Sequence, residues 1–161
     1  KIASRKYWGK SNDTLGLVRA AREKGLPVTV DEYAYTASST SLDTILPSWA
    51  LAGGREEGKK RLADEPTKKK IIEEIKKNLK ESKFKDYSYA YVASYAGNKD
   101  FNGKNIKEIS KMVRGKDNLD NQLEQVFELY KGGGAQMVYH KMDERVNKLF
   151  CSGIVKKLGK V

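Results

Sequence analysis

Apolar positions recur at helical spacing along much of this chain, and turn residues separate the runs. Leu15, Val18 and Ala21 share one face of a segment opened by Ser11-Asn12-Asp13 and stopped by Gly25 and Pro27, which predicts a helix. The β-branched run Val28, Thr29 and Val30 follows directly and predicts a short strand, so Lys1 to Tyr35 reads as a strand-end, helix, strand unit. Ser38, Ser39, Thr40 and Ser41 make a polar loop too rich in hydroxyls for a core segment. Leu42 to Leu51 is apolar but broken by Pro47 and closed by Gly53-Gly54, which fits a short helical turn covering the mouth of a site.

From Gly54 to Lys83 the chain is charged and helical. Asp64-Glu65-Pro66-Thr67 starts a helix whose buried stripe is Ile71, Ile72, Ile75 and Leu79. Tyr87 to Tyr95 reads as a strand with Tyr87, Tyr89 and Tyr91 on one face, a packing surface or a pocket lining. Ile106, Ile109 and Val113 mark a helix ending at Gly115. Leu119, Leu123, Val126, Phe127 and Tyr130 mark another ending at Gly132-Gly133-Gly134. Ala135 to Tyr139 is a further strand, and Asp143 caps a last helix through Val146, Leu149 and Phe150. Strands separated by helices predict an α/β fold with a largely parallel sheet.

The densest chemistry lies in Val28 to Trp49, where Asp31, Glu32, Tyr33 and Tyr35 end a predicted strand and the hydroxyl run follows. The ends of parallel strands are where α/β proteins bind ligands. The run VTVDEYAYTASSTSLDTILPSW resembles the D-aminoacylase (N-acyl-D-amino-acid deacylase) branch of the metal-dependent amidohydrolases. Members of that branch read V-T-x-D-x-Y-P-Y, then T-A-S-S-T, then L-P-x-W. Lys1 and Trp8-Gly9-Lys10-Ser11 are similar to the same branch, where a strand ending in S-H-x-K leads into a W/F-G-K-S turn. The resemblance spans Lys1 to about Val155, and Ala34 departs from it where the family carries proline, leaving the strand end less rigid.

The resemblance implies a partial (β/α)8 TIM-like amidohydrolase barrel, its C-terminal-half strand-helix units carrying a helical insertion, across residues 1–161. It implies zinc-dependent hydrolysis of the amide of an N-acyl-D-amino acid to a carboxylate and a D-amino acid. It also implies that Lys1, Tyr33 and Ser39 lie near the bound N-acyl-D-amino acid, where a cation and hydroxyl donors suit its free carboxylate. Tyr33 read without the family is aromatic packing under the loop, Ser39 a turn cap, and Asp31 an anchor accepting backbone N–H groups.

The metal machinery is another matter. The family's ligands are an H-x-H pair, a bridging side chain and two later histidines, with a catalytic aspartate on the last strand. This chain has one histidine, His140, at a position where the family more often has an aromatic residue. The segment corresponding to the family's G-S-D reads KKLGKV. No catalytic or metal-ligating residue is therefore assigned to it. A whole barrel needs about 250 residues, so these 161 read as a piece, inactive by itself, marginally stable and prone to self-association through exposed sheet edges.

A net charge of +11 raises an alternative, a non-catalytic basic module binding RNA or another polyanion. The lysines are spread over helix faces, as at Lys68 to Lys70, Lys76 and Lys77, and no RNP, KH, helix-turn-helix or zinc-finger pattern accompanies them. Cys151 is the single cysteine, so no intrachain disulfide forms and a reducing cytoplasm fits. No apolar run approaches the ~20 residues of a membrane span, and the expectation is no membrane partner.

Overall fold

The computed structural model describes residues 8–30, 35–142 and 144. The chain divides into two compact units, Lys1–Ala37 with Lys141–Val161, and Ser38–His140. The second unit is thus an insertion in the first.

In the discontinuous unit, α1 spans Ser11–Glu23 and buries Leu15. Its C-terminus closes as the pattern predicts: Gly25 takes φ +78, its N–H donates to Arg22 C=O at 2.9 Å, and Leu26 N–H reaches back to Ala21 C=O at 3.2 Å. The expected strand Val28–Val30 does not form among the described residues. Instead Val28 N–H turns back to Leu26 C=O at 2.9 Å, and the Arg22 guanidinium holds Val28 C=O at 2.8 Å. The predicted helix after Asp143 lies outside the described residues. Met142 N–H donates to Thr36 C=O at 3.1 Å, which ties the two segments of this unit together.

The inserted unit mixes helices with a three-stranded sheet. In order it has β1 (Ser38–Ser41), a 3-10 turn (Leu42–Ile45), α2 (Ser48–Leu51), α3 (Arg55–Ala63) and α4 (Glu65–Glu81). Then come β2 (Ala90–Ser94), a 3-10 turn (Lys99–Phe101), α5 (Ile106–Arg114), α6 (Leu119–Lys131) and β3 (Gln136–Tyr139). The sheet order is β1-β3-β2, and β3 pairs antiparallel with both neighbours. This corrects the expectation of a largely parallel sheet. A single-helix crossover delivers the chain to the opposite end of the sheet. Between β2 and β3, however, stands an α5–α6 pair, which returns it to the end it left.

Ser38–Ser41, expected as a loop, is an edge strand, because a polar run tolerates a place whose outer backbone groups meet water. The outer edge of β2 is covered: Val92 N–H donates to Lys104 C=O at 2.9 Å, and Gly103 N–H donates to Val92 C=O at 2.8 Å.

Local chemistry accounts for the helices. Asp64 caps α4, its carboxylate accepting the Thr67 N–H at 3.0 Å, and the expected stripe buries Ile71, Ile75 and Leu79. Asn105 and Glu108 form a capping box on α5, which ends on Gly115 at φ +69. Val113, expected on the buried face, is 54% exposed because the core reaches only as far along α5 as Ile109 and Ser110. Ala90, Val92, Met137 and Tyr139 make the buried face of the sheet and meet Leu62, Ile71, Ile75, Ile106, Ile109, Leu123, Val126, Phe127 and Tyr130 in one core. Tyr87 and Tyr89 precede β2 in a turn, so the three tyrosines do not line one strand face as expected. Tyr89 stacks on Phe84 at 4.0 Å between centroids and approaches Tyr139 at 6.2 Å, while Tyr87 is buried.

Candidate functional site

Side chains alternate across a strand, so the residues between the buried positions of β2 and β3 point to the opposite face of the sheet. Register aligns Ser39 with Val138 and Val138 with Tyr91, a row across all three strands. Gln136 and His140 flank this row and are exposed, while Val138 and Tyr91 are half-buried. An antiparallel sheet with one face on the core and the other open gives this arrangement directly.

Ser39 is the one resemblance-derived site residue among those described, and it stands on this open face. Its hydroxyl donates to Met137 C=O at 3.1 Å and accepts from the Gln136 amide at 3.3 Å. The single hydroxyl proton is committed to Met137, so Ser39 offers a carboxylate a donor only by rotating its O–H away from that carbonyl. Lys1, Tyr33 and Asp31 lie outside the described residues. His140 donates its backbone N–H to Tyr89 C=O at 2.9 Å and sets its ring edge-on to Tyr91 at 5.2 Å between centroids.

Among the described residues no group of three His, Cys, Asp or Glu side chains could hold a metal ion. Among the described residues His140 has an aromatic neighbour and belongs to no group that could supply a zinc donor set. The residues present do not fit the metal implied by the family resemblance.

Lys141 was not legible as special in the sequence. Burial lowers its pKa from the ordinary lysine value. Burial also holds the hydroxyls of Tyr87 and Tyr89 neutral far above the usual range and pushes Tyr139 up to about 12. These tyrosines are packing and hydrogen-bonding groups, not proton shuttles at neutral pH.

No family model, no curated protein and no solved structure matches this chain. None of the helices described is long and apolar enough to cross a membrane.

Proposed function

We propose that this chain is the substrate-side part of a metal-dependent N-acyl-D-amino-acid deacylase, with Lys1, Tyr33 and Ser39 receiving the free carboxylate of the substrate. The observation that carries the proposal is the run Val28–Trp49 with Trp8-Gly9-Lys10-Ser11 upstream at the family's spacing. On this reading the 161 residues are a partial (β/α)8 barrel, its C-terminal-half strand-helix units carrying a helical insertion. The zinc ligands come from outside the residues described, and no step through the metal is assigned to this chain.

The test uses the longest reading frame containing these 161 residues, assayed with zinc against N-acyl-D- and N-acyl-L-amino acids, beside its Ser39→Ala variant. Cleavage of the D series, with KM raised in the variant, supports the proposal. Cleavage of neither series sinks it.

The net charge of +11 favours a second reading, a module binding RNA or another polyanion. A gel shift at low ionic strength that vanishes as salt is added supports that reading, and the absence of any shift disposes of it.

A further inference from the structure

We propose that Asn102-Gly103 is a site of spontaneous deamidation gated by the outer edge of β2, and that its isoaspartyl product uncovers that edge. Asn102 is the only asparagine of the chain that a glycine follows. The reaction forms a bond between the Gly103 backbone nitrogen and Asn102 Cγ. The side-chain amide leaves as ammonia, and water opens the resulting succinimide at either carbonyl to give aspartate or isoaspartate. Glycine favours the step because no side chain crowds its nitrogen, and both residues are exposed to water.

The fold calls for this pair. Asn102 lies at φ −63 and ψ 133, Gly103 takes φ +79, and Lys104 N–H closes the turn on Phe101 C=O at 3.1 Å. That is a type II turn, whose third residue needs a positive φ. A Cβ on Gly103 meets nothing within 4 Å, so conformation and not space selects the glycine. The asparagine holds the chain just past β2, where its Oδ1 accepts the Tyr95 N–H at 3.0 Å.

Both reacting groups are occupied in the folded protein. Attack requires Gly103 to lose its amide proton, and that proton is donated to Val92 C=O at 2.8 Å. The Asn102 side chain cannot turn toward the nitrogen without giving up Tyr95. Deamidation therefore proceeds from molecules in which residues 98–104 have lifted from β2, a local opening rather than global unfolding.

The two products differ in what they do to the sheet. Aspartate at position 102 keeps the backbone and offers the Tyr95 N–H a charged acceptor. Isoaspartate routes the backbone through the side-chain methylene and lengthens it by one atom. The bonds from Gly103 N–H to Val92 C=O and from Val92 N–H to Lys104 C=O, the latter at 2.9 Å, then lose their register. Those two bonds cover the outer edge of β2, so their loss leaves it open to a further strand. This chemistry is independent of the deacylase reading.

The test is peptide mapping by mass spectrometry of the 161-residue chain held at mildly alkaline pH, native and in urea. Asn102 is expected to deamidate fastest of the asparagines in urea. In the native chain it is expected to react about thirtyfold more slowly, the factor that two hydrogen bonds of ordinary strength supply. Equal rates in the two states overturn the gating, and another asparagine leading in urea overturns the site. Amide hydrogen exchange then reads the products. In the isolated isoaspartyl form the Val92 and Gly103 amides are expected to exchange at least about tenfold faster than in the parent, while Asn102→Asp exchanges like the parent. An isoaspartyl form that keeps the parental protection at Val92 overturns the edge opening. So does an Asn102→Asp variant that loses protection to the same degree.

Discussion

Ser38 and Tyr139 face each other across β1 and β3, at the first and next-to-last residues of the inserted unit. The chain therefore enters and leaves Ser38–His140 through adjacent strands, and the core of this unit is drawn from residues between Leu42 and Tyr139. A unit with neighbouring ends and its own core meets the requirements of an insertable domain. A protein cut down to residues 38–140 is expected to unfold in one cooperative thermal transition with near-UV circular dichroism intact. A broad, non-cooperative loss of signal contradicts that autonomy. The open edge of β1, four residues long and rich in hydroxyls, limits edge-to-edge association.

Gly58, inside α3, lies under the buried Tyr130, and a Cβ there would overlap its hydroxyl and come within 3.0 Å of Cζ. The ring cannot swing away, because the Arg55 guanidinium covers it at 4.6 Å from the centroid. Helix propensity by itself favours Ala over Gly by about 1 kcal/mol. Gly58→Ala is nevertheless expected to destabilise by about 1–3 kcal/mol, because overpacking outweighs propensity. Denaturant unfolding reads the sign, and a stabilised variant refutes the close packing.

Arg55 joins three pieces of structure: it donates to the Asp43 carboxylate at 2.9 Å and to Tyr130 C=O at 2.8 Å, and it covers the Tyr130 ring. The pair is partly exposed, so the charge itself contributes little. The planar fork is what a lysine cannot reproduce. Arg55→Lys is expected to cost about 1–2 kcal/mol, read by urea unfolding. A double-mutant cycle with Asp43→Ala that finds no coupling removes the basis for this expectation.

Gln122 is a buried polar residue that satisfies two backbone groups. It accepts the Tyr87 N–H at 2.8 Å and donates to Asp117 C=O at 2.6 Å, pinning the turn before β2 to the start of α6. Gln122→Met fills the same space but leaves both groups unpaired, at a cost of about 2–4 kcal/mol. Little change in midpoint on chemical denaturation contradicts the bridging role.

Burial raises the hydroxyl pKa of Tyr87, Tyr89 and Tyr139, with Tyr139 at about 12 although the Thr44 hydroxyl donates to it. Folding thus favours the protonated form. The resulting stability is fully present below the unfolded tyrosine value of about 10 and is lost as pH rises from there through 12. An ultraviolet tyrosinate titration is expected to show a delayed class that ionises together with loss of near-UV dichroism. If all nine tyrosines ionise near the ordinary value with the fold intact, the buried cluster is wrong.

The helices were the legible part. Asp64 before Pro66, the stripe of Ile71, Ile75 and Leu79, and Gly25 and Gly115 at helix ends each carry a local signal. Capping and glycine conformation act within a few residues, so sequence alone locates them. Val113 shows the limit of periodicity: spacing puts it on the core-facing stripe, but spacing does not say where the core stops. Of the row across the sheet, only Ser39 was singled out from the sequence, through the family resemblance. Its neighbours Gln136, Val138 and Tyr91 were not, since they come from strands far away in the chain.

By itself the sequence located α1, α4, α5 and α6 and most of their ends, because capping and apolar spacing depend on neighbours within one or two turns. Tertiary structure decided the direction and order of the strands, the division that makes Ser38–His140 an insertion, and the face on which Ser39 meets Gln136. Those depend on backbone pairing between residues about a hundred positions apart, such as Ser38 with Tyr139. A serine-rich run looks the same in a loop as on a sheet edge until its partner strand arrives.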